Sequence, residues 1–338
     1  MHIPLLSRSG PTFDRPQKGV AIITALLIVT IATTISISIS TRLQLDVRRT
    51  SNMIATDQAH LYALLADEFF QTLLRDKDSR EDFIEKPLIT DGIIRQVIPV
   101  ESDTPVLIEV EVTDMSACLN VNALIGNNNL QSPDKITENR LQELFSNNGI
   151  PEELTQAIAD WIDTDLTNNI PDGAEDGFYM NLPKPYRVAN TPLRSISELR
   201  LIKGFQDKKV HQFTTELIKG KSTSSSSRFA SAALCAFDTT DNSNIPININ
   251  TASVEVLKSL QPGITQPQID DILQTREKDA YTKVPALFEE QTNLVTTSSY
   301  YLLKTTVKIG NAINVMYSII FRAGTGDTKV IYSTQRTL

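Results

Sequence analysis

The chain has 338 residues, of which 41% are hydrophobic, so it is long enough to bury the cores of one or two folded domains. Its formal net charge of -8 disfavours a nucleic-acid-binding surface, which needs an excess of Lys and Arg. The three histidines are scattered and form no Ser/His/Asp or Cys/His arrangement, so the sequence gives no support for catalysis.

An uncharged apolar run extends from Val20 to Ser40. As a helix rising about 1.5 Å per residue it would span roughly 30 Å, the thickness of a bilayer's hydrocarbon core. The residues before it carry Arg8, Arg15 and Lys18 against a single acid. Because a basic flank stays in the cytoplasm, the rest of the chain is predicted to be exported.

Three interpretations of this N-terminus remain open. The run could be an uncleaved anchor. It could be a secretory signal peptide, although it lacks the short apolar core and the A-x-A site that such peptides have. Cleavage between Gly19 and Val20 would instead leave a mature chain that begins with the membrane helix.

The residues after the run predict a long amphipathic helix. Val47, Ile54 and Leu61 recur every seven residues, and Leu64, Leu65, Phe69 and Phe70 continue the stripe. Because no Pro or Gly interrupts positions 20–74, one helix could run from the membrane into a soluble domain, where a sheet would cover its outer half.

The Gly19 junction followed by an apolar helix resembles the type IV pilins and type II secretion pseudopilins. In that class a prepilin peptidase removes a leader ending in Gly, and the resemblance implies cleavage between Gly19 and Val20 with methylation of the new N-terminus. Nearly all members carry Glu at the fifth mature position, where its carboxylate pairs with the N-terminal amine of a neighbouring subunit. This chain has Thr24 there, and a hydroxyl cannot replace that contact.

Alternating apolar residues predict five strands, two before and three after a long helical middle at about Met115–Leu294. Gly-Asn and Gly-rich turn signals separate the last three strands. The predicted strands are Ile93–Val100, Val106–Thr113, Tyr300–Ile309, Ile313–Phe321 and Lys329–Ser333.

The helical middle contains an internal repeat. Each copy has an Asn-x-Asn motif, a helix, a Gly-Ile turn and a second helix with an Ile eight residues after the turn's isoleucine. The matching positions are Asn120–Asn122 and Asn248–Asn250, Gly149-Ile150 and Gly263-Ile264, and Ile158 and Ile272. Such a unit resembles helix-hairpin-helix or SAM-like bundles, either as a packing scaffold or as a module that grips DNA phosphates.

Six acidic residues lie within seventeen positions, at the end of an amphipathic helix and in the loop after it. They are Asp160, Asp163, Asp165, Asp172, Glu175 and Asp176. Six like charges repel unless they are solvated or bridged by a cation, and oxygen ligands favour Ca²⁺ or Mg²⁺ over zinc. The spacing does not match an EF-hand. Trp161 in the same helix is interpreted as core packing.

The stretch from Asp160-Trp161-Ile162-Asp163 through Pro185-Tyr186 to Glu198-Leu199, together with Thr24, resembles the K-type minor pseudopilin (general secretion pathway protein K). The resemblance implies structural calcium bound by a subset of the six acids. It also implies a place at the tip of a pseudopilus that drives export of folded exoproteins, and an inner-membrane anchor with a periplasmic domain. Implied partners are the I and J minor pseudopilins and the prepilin peptidase, with the H type and the exoproteins as further candidates and no nucleic acid.

Cys118 and Cys235 are the two cysteines of the chain. Both follow the apolar run, so export would place them in an oxidising compartment where a disulfide is permitted. The sequence leaves their pairing open.

The fold class expected is α+β, with a long N-terminal helix packed on a small antiparallel sheet and a large all-α insert. The expected segments are a leader at 1–19, a transmembrane helix at 20–41, a core from 42–114 and 295–338, and the insert at 115–294. The rival hypothesis is a membrane-anchored helix-hairpin-helix module that binds DNA.

Overall fold

The computed structural model describes residues 18–80, 93–99, 106–125, 133–219, 232–238 and 245–335, with the backbone alone described at 18–19, 79 and 93–99. Most of the expected leader, the asparagine run at 127–129 and the serine tract at 222–227 lie outside these residues. The chain divides into two compact units, Met1–Ala55 and Thr56–Leu338.

The predicted long helix is confirmed as α1, Lys18–Arg75. It contains a window long and apolar enough to cross a membrane, and none of that window is buried. The hydroxyls of Thr24, Thr30 and Thr33 each donate to backbone carbonyls three and four residues earlier. These bonds satisfy the hydroxyls within the helix, as an apolar surrounding requires.

The second unit is built on a five-stranded antiparallel sheet, in which each of the five strands pairs with the next one along the chain. Its strands match the five that the sequence predicts, within one residue at each described end. They are β1 Ile93–Pro99, β2 Val106–Asp114, β7 Tyr300–Ile309, β8 Ala312–Arg322 and β9 Thr328–Thr334.

The end of α1 packs on this sheet through a face that differs from the predicted apolar stripe. Ala59, Ala63, Ala66, Phe70 and Leu74 are buried. Three of the five are alanines, and these short side chains leave little bulk between the helix and the strands. Of the predicted stripe, Phe70 alone belongs to the face that the sheet covers; the others remain exposed.

A carboxylate lies within this helix–sheet interface. Asp67 is buried, and its Oδ2 accepts a hydrogen bond of 2.6 Å from the hydroxyl of Ser318 on β8. Burial raises the pKa of Asp67 from 3.8 to about 6, against the smaller opposite effect of the Ser318 bond. The end of α1 is further tied to the sheet by Arg322, whose Nε donates to the carbonyl of Leu74 at 3.0 Å.

Helices are the main regular elements of the insert between β2 and β7. Its α-helices are α3 Lys135–Asn147, α4 Leu154–Ile162, α5 Asp176–Tyr179, α6 Lys208–Lys219, α7 Val254–Ser259 and α8 Gln266–Lys278, while the short α2, Lys77–Arg80, follows α1. Its 3-10 helices are Met115–Ala117, Val121–Leu124, Ile196–Leu201 and Ala286–Phe288. The structure adds four two-residue strands that the sequence pattern did not predict, β3 Leu119–Asn120, β4 Leu234–Cys235, β5 Ile247–Asn248 and β6 Leu294–Val295.

The internal repeat is confirmed by matching hydrogen bonds. The amide of Asn122 exchanges two bonds with the backbone of Leu193, and Asn250 exchanges two with Tyr281 in the same way. The parallel pair β3–β4 corresponds to β5–β6. The Asn-x-Asn motifs therefore clamp distant backbone segments, because one buried amide can satisfy both a donor and an acceptor.

Cys118 and Cys235 form a disulfide with their Cα atoms 5.9 Å apart. Cys118 directly precedes β3, and Cys235 ends β4. The bond therefore fastens the parallel strand pair β3–β4, which contains the first residue of the first Asn-x-Asn motif.

Candidate metal centre

The acidic residues occupy the end of α4, the loop after it and the start of α5. Asp160 lies in the last turn of α4, and Asp163 caps the helix, its N–H donating to the carbonyl of Ala159. Glu175 immediately precedes α5. Two helix ends and one loop thus bring carboxylates together from both sides.

Three of the six predicted acids converge. One carboxylate oxygen each from Asp163, Asp165 and Glu175 lie within 4.8 Å of one another. Two oxygens that bind one Ca²⁺ at roughly 2.4 Å can be no more than about 4.8 Å apart, so this spacing fits a shared cation. Asp163 and Glu175 are almost fully buried, and Asp165 is half-buried.

The buried oxygens at this point lack hydrogen-bond donors. Within the described part of the chain, Asp163 Oδ1 and both carboxylate oxygens of Glu175 have no partner. A buried carboxylate without donors is costly, and a bound cation would remove that cost. These buried carboxylate oxygens without hydrogen-bond donors are the structural observation that supports a metal at this site.

The electrostatics agree with the geometry. Burial, followed by repulsion from Asp165 and Asp160, raises the pKa of Asp163 from 3.8 to about 7. Burial and the neighbouring acids, Asp160 first, raise the pKa of Glu175 from 4.5 to about 8. The raised pKa values mean that both carboxyl groups stay protonated to a higher pH when no positive charge lies beside them. A divalent cation would therefore favour their ionised forms.

Asp160 has a shaping role beside the three converging acids. It is fully buried, its carboxylate accepts from both the backbone N–H and the side-chain amide of Asn169, and burial raises its pKa. A Cβ on Gly173 would lie 2.1 Å from Asp160 Oδ2 and 2.5 Å from the carbonyl of Asn169. Only glycine fits at position 173, because any side chain would push the loop off Asp160.

The remaining predicted acids lie outside the converging group. Asp176 Oδ1 accepts from the N–H of Val188 at 3.0 Å, which ties α5 to the following segment. Asp172 is half-buried, and its N–H donates to the side-chain carbonyl of Gln156 at 2.9 Å. The structure thus separates three candidate ligands from three neighbours that hold the loop in place.

Two residues that the acid pattern missed also contact the loop. Asn190 donates its amide to the carbonyl of Asp165 at 3.2 Å, and its buried Oδ1 has no partner among the described residues. Lys203 Nζ donates to the carbonyls of Asp172 and Gly173 at 3.1 and 3.3 Å. Asn190 has a φ of 48°, a left-handed backbone conformation that Asn tolerates. The amino-acid composition gives no signal of this conformation.

Three aromatic rings pack against one another beside the acidic residues. Trp161 is buried, as the sequence predicts, and packs edge-on against Tyr179 with ring centroids 5.2 Å apart. Tyr186 packs against both rings. Since Trp161 is the sole tryptophan of the chain and neighbours Asp160, its fluorescence should report changes at the acidic loop.

The two Gly-Ile hairpins differ in their surroundings. A Cβ on Gly149 would touch the Phe213 ring at 3.4 Å, whereas the turn at Gly263 is open. Phosphate binding at that turn would need exposed basic residues nearby. Arg276, in the helix that follows the turn, is instead buried and donates to the carbonyls of Ile249 and Ala252. The arrangement therefore favours a packing role for the repeat over a phosphate grip.

Comparison with known families finds two matches within the second unit. Two family models, both described as type II secretion system (T2SS), protein K, match residues 117–215 and 247–307. The first match contains the acidic loop and the second contains the repeat's second copy.

Relatives support the same assignment. A type II secretion system protein K of Pseudomonas aeruginosa is 28% identical over 94% of this chain and 92% of its own length. A protein of the same name from Aeromonas hydrophila is 33% identical over 56% of this chain and 60% of its own length.

A solved structure has the same fold. It is the crystal structure of the GspK-GspI-GspJ complex from the type 2 secretion system of enterotoxigenic Escherichia coli. The match has a TM-score of 0.57 and 20% identity, and covers 86% of this chain and all of the other. At that identity the likeness establishes the α+β fold.

Proposed function

The chain belongs to the type II secretion system protein K family, and from this premise we propose that it is a minor pseudopilin that caps the tip of the pseudopilus. There it helps to initiate the filament that drives folded exoproteins across the outer membrane. Family membership is the observation that carries the proposal. The membrane-length apolar part of α1 supports an inner-membrane anchor with the second unit in the periplasm.

The size of the second unit supports a terminal position. Thr56–Leu338 is one compact unit. For about 280 residues the expected radius of gyration is about 19 Å, which corresponds to a diameter of roughly 50 Å. A subunit this wide leaves little room for another directly above it in a closely stacked filament.

Thr24 supports the same position. Its hydroxyl donates to the carbonyls of Val20 and Ala21 in its own helix, at 3.1 and 3.0 Å. It offers no negative charge to the N-terminal amine of another subunit. A subunit that cannot hold a successor in this way suits the end of the stack.

We propose that the I and J minor pseudopilins bind the outer part of α1. Its exposed face carries Leu61, Leu64, Leu65 and Phe69, which we name the α1 stripe. Their exposed fractions lie between 44% and 62%, and four large apolar side chains on one helix face are typical of a helix–helix interface. The matching structure is a complex of K with I and J proteins.

We further propose that Asp163, Asp165 and Glu175 hold a structural Ca²⁺. The ion would neutralise the converging carboxylates and fasten the end of α4 to the start of α5. Oxygen donors and the lack of a nearby His or Cys in the acidic loop favour Ca²⁺ over zinc.

Labelling of isolated pseudopili tests the tip position. Gold attached to an epitope on the second unit should appear at one end of each filament in electron micrographs, and labels spread along the shaft would contradict the proposal. Mass spectrometry of the mature protein tests the processing pathway. A chain that begins at Val20, with an N-methyl group, is expected, whereas a retained Met1 would favour an uncleaved anchor.

The α1 stripe is tested separately. The double variant Leu65→Asn, Phe69→Asn should weaken binding to a purified I–J pair by at least about tenfold, because each side chain would lose an apolar contact. Tyr332→Asn, an exposed apolar position on β9, is the control and should bind normally. Equal binding by all three proteins would exclude the stripe as the interface.

A further inference from the structure

A cavity of about 290 Å³ lies between the sheet and the insert. Thr113, Leu302 and Ile319 line it from the sheet. They form one row across β2, β7 and β8, because Thr113 pairs with Leu302 and Leu302 pairs with Ile319. Ile218 of α6 and Leu234 of β4 line the cavity from the insert. The cavity is therefore a gap where the two parts of the second unit meet.

The surface of this cavity is mostly apolar. Met115 and Ile196 add to the apolar side chains that line it. Asp114 is the sole acid among the described lining residues, and it is buried. Its carboxylate already accepts hydrogen bonds from the hydroxyls of Thr251 and Ser298. A bound molecule would therefore meet hydrocarbon over most of its surface.

Bonds around the cavity hold its walls in place. The disulfide between Cys118 and Cys235 lines the cavity and joins the residue before β3 to β4. The N–H of Ala233 donates to the carbonyl of Leu217 at 2.8 Å, which ties the start of β4 to the end of α6. Walls held in this way need little rearrangement to admit a ligand, so binding loses little conformational entropy.

The volume indicates the size of the ligand. An engineered apolar cavity of about 150 Å³ binds benzene, so a space of 290 Å³ fits an apolar group roughly twice as large, such as a chain of about ten carbons. One Leu or Phe side chain from a partner protein would fill only about half of it. A small apolar molecule therefore fits the cavity better than an anchor residue of another protein.

Lys219 indicates the polar end of the ligand. It is the last residue of α6, it is exposed, and it is the sole Lys, Arg or His among the described lining residues. A cation where an apolar cavity meets solvent favours a ligand with a negative charge at one end of an apolar body. A hydrocarbon chain that ends in a carboxylate has both features.

We propose that this cavity binds a medium-chain fatty acid, with its chain between the sheet and the insert and its carboxylate at Lys219. A phospholipid with two acyl chains is too large for the space, so the ligand is the free acid. The bound chain covers apolar side chains of both walls and thereby holds the insert against the sheet.

Photolabelling of the full chain in phosphatidylcholine nanodiscs tests the proposal. Decanoic acid with a diazirine on its chain is activated by light, and the labelled peptides are identified by mass spectrometry. Label is expected on peptides that contain Leu234 or Leu302, and excess unmodified decanoate should remove it. Label confined to α1, where the probe reaches the bilayer, would overturn the inference. So would a cavity that the chain's own residues 220–231 occupy in place of the probe.

Chain length separates the cavity from partition into the bilayer. Competition by fatty acids from hexanoate to tetradecanoate is measured against the free concentration of each acid. Each added CH₂ should raise the affinity about fourfold up to roughly ten carbons, and longer chains should gain little because the cavity is then full. Affinity that keeps rising through tetradecanoate would contradict a bounded site. Tighter competition by a lysophospholipid with a decanoyl chain than by decanoate would assign the cavity to a lipid and overturn the inference.

A charge variant tests the position of the carboxylate. Lys219→Met should weaken decanoate binding by up to about fivefold and leave decanol binding unchanged. Lys208→Met, at the other end of α6, is the matched control and should bind decanoate like the parent. Equal decanoate affinity in Lys219→Met and the parent would overturn the assignment of Lys219.

A filling variant tests the cavity itself. Ala232 lines the cavity and is half-buried, so the ring of Ala232→Phe should occupy the space and abolish binding of both decanoate and decanol. A melting temperature equal to that of the parent would show that this variant is folded. Continued binding by the folded variant would place the ligand elsewhere and overturn the inference. The proposed pseudopilin function would stand in that case, because family membership carries it and filament labelling tests it.

Discussion

Replacing Glu175 with Gln should have opposite effects on stability with and without calcium. Without a cation, the folded protein must either ionise Glu175 beside Asp163 and Asp165 or keep it protonated. A pKa raised from 4.5 to about 8 corresponds to roughly 4 kcal/mol of stability lost at pH 8. Water around the loop screens part of this cost, so we expect about 2 kcal/mol.

In chelator at pH 8, Glu175→Gln should therefore raise the melting temperature of the full chain in detergent by about 4–8 °C. In saturating calcium the order should reverse. The parent gains up to about 4 kcal/mol of unfolding free energy when the calcium concentration exceeds the Kd a thousandfold. The variant has one carboxylate ligand fewer, so it should gain less. Trp161 fluorescence and circular dichroism, recorded during the same melts, provide two independent measurements.

The pH dependence has a defined sign. The folded protein binds more protons than the unfolded chain between about pH 4.5 and 8, so calcium-free stability should fall as the pH rises through this window. The advantage of the variant should accordingly shrink at pH 5.5. Asp172→Asn is the matched control, since it removes a carboxylate from the same loop outside the converging group. A calcium-free variant that melts below the parent, or an unchanged response to calcium, would refute the reasoning.

Three further changes are predicted. Gly173→Ala should abolish the calcium-induced rise in melting temperature, because the new methyl group would collide with Asp160, and a normal rise would disprove the fit. In urea unfolding, Asp67→Asn should stabilise the protein at pH 8 but not at pH 4. Burial raises the pKa of Asp67 to about 6, so the free-energy cost of ionising the buried carboxyl appears only as the pH rises from about 4. Equal effects at both pH values would contradict this prediction. Replacing Cys118 and Cys235 together with Ser should cost about 2–5 kcal/mol in the same assay, and no loss would mean that the strand pair holds without the bond.

Local periodicity was enough to predict the strands and the long helix. Tyr300–Ile309 alternates buried and half-buried side chains along nearly its whole length, and the observed strand has the predicted limits. The repeat was also predictable, because both copies use an Asn-x-Asn motif at equivalent positions. The chemical role of those amides was not predictable, since Leu193 and Tyr281 lie 71 and 31 residues from the asparagines that clamp them.

The face by which α1 meets the sheet was not predictable either. The sequence offers a stripe of large apolar residues and a second row of alanines on the same helix. Hydrophobicity alone favours the large residues, but the sheet covers the row that contains Ala59, Ala63 and Ala66. The large residues are left exposed, and that exposure is the basis for the proposed interface with other subunits.

The amino-acid sequence by itself determined that this protein has a membrane-length helix, an α+β order of elements, a duplicated insert and a dense acidic loop, because composition and short-range periodicity encode each of these. Only the tertiary structure decided which acids converge, since Asp163 and Glu175 are brought together by the end of one helix and the start of another. Such contacts depend on how distant segments pack, and short-range sequence patterns carry no record of that packing.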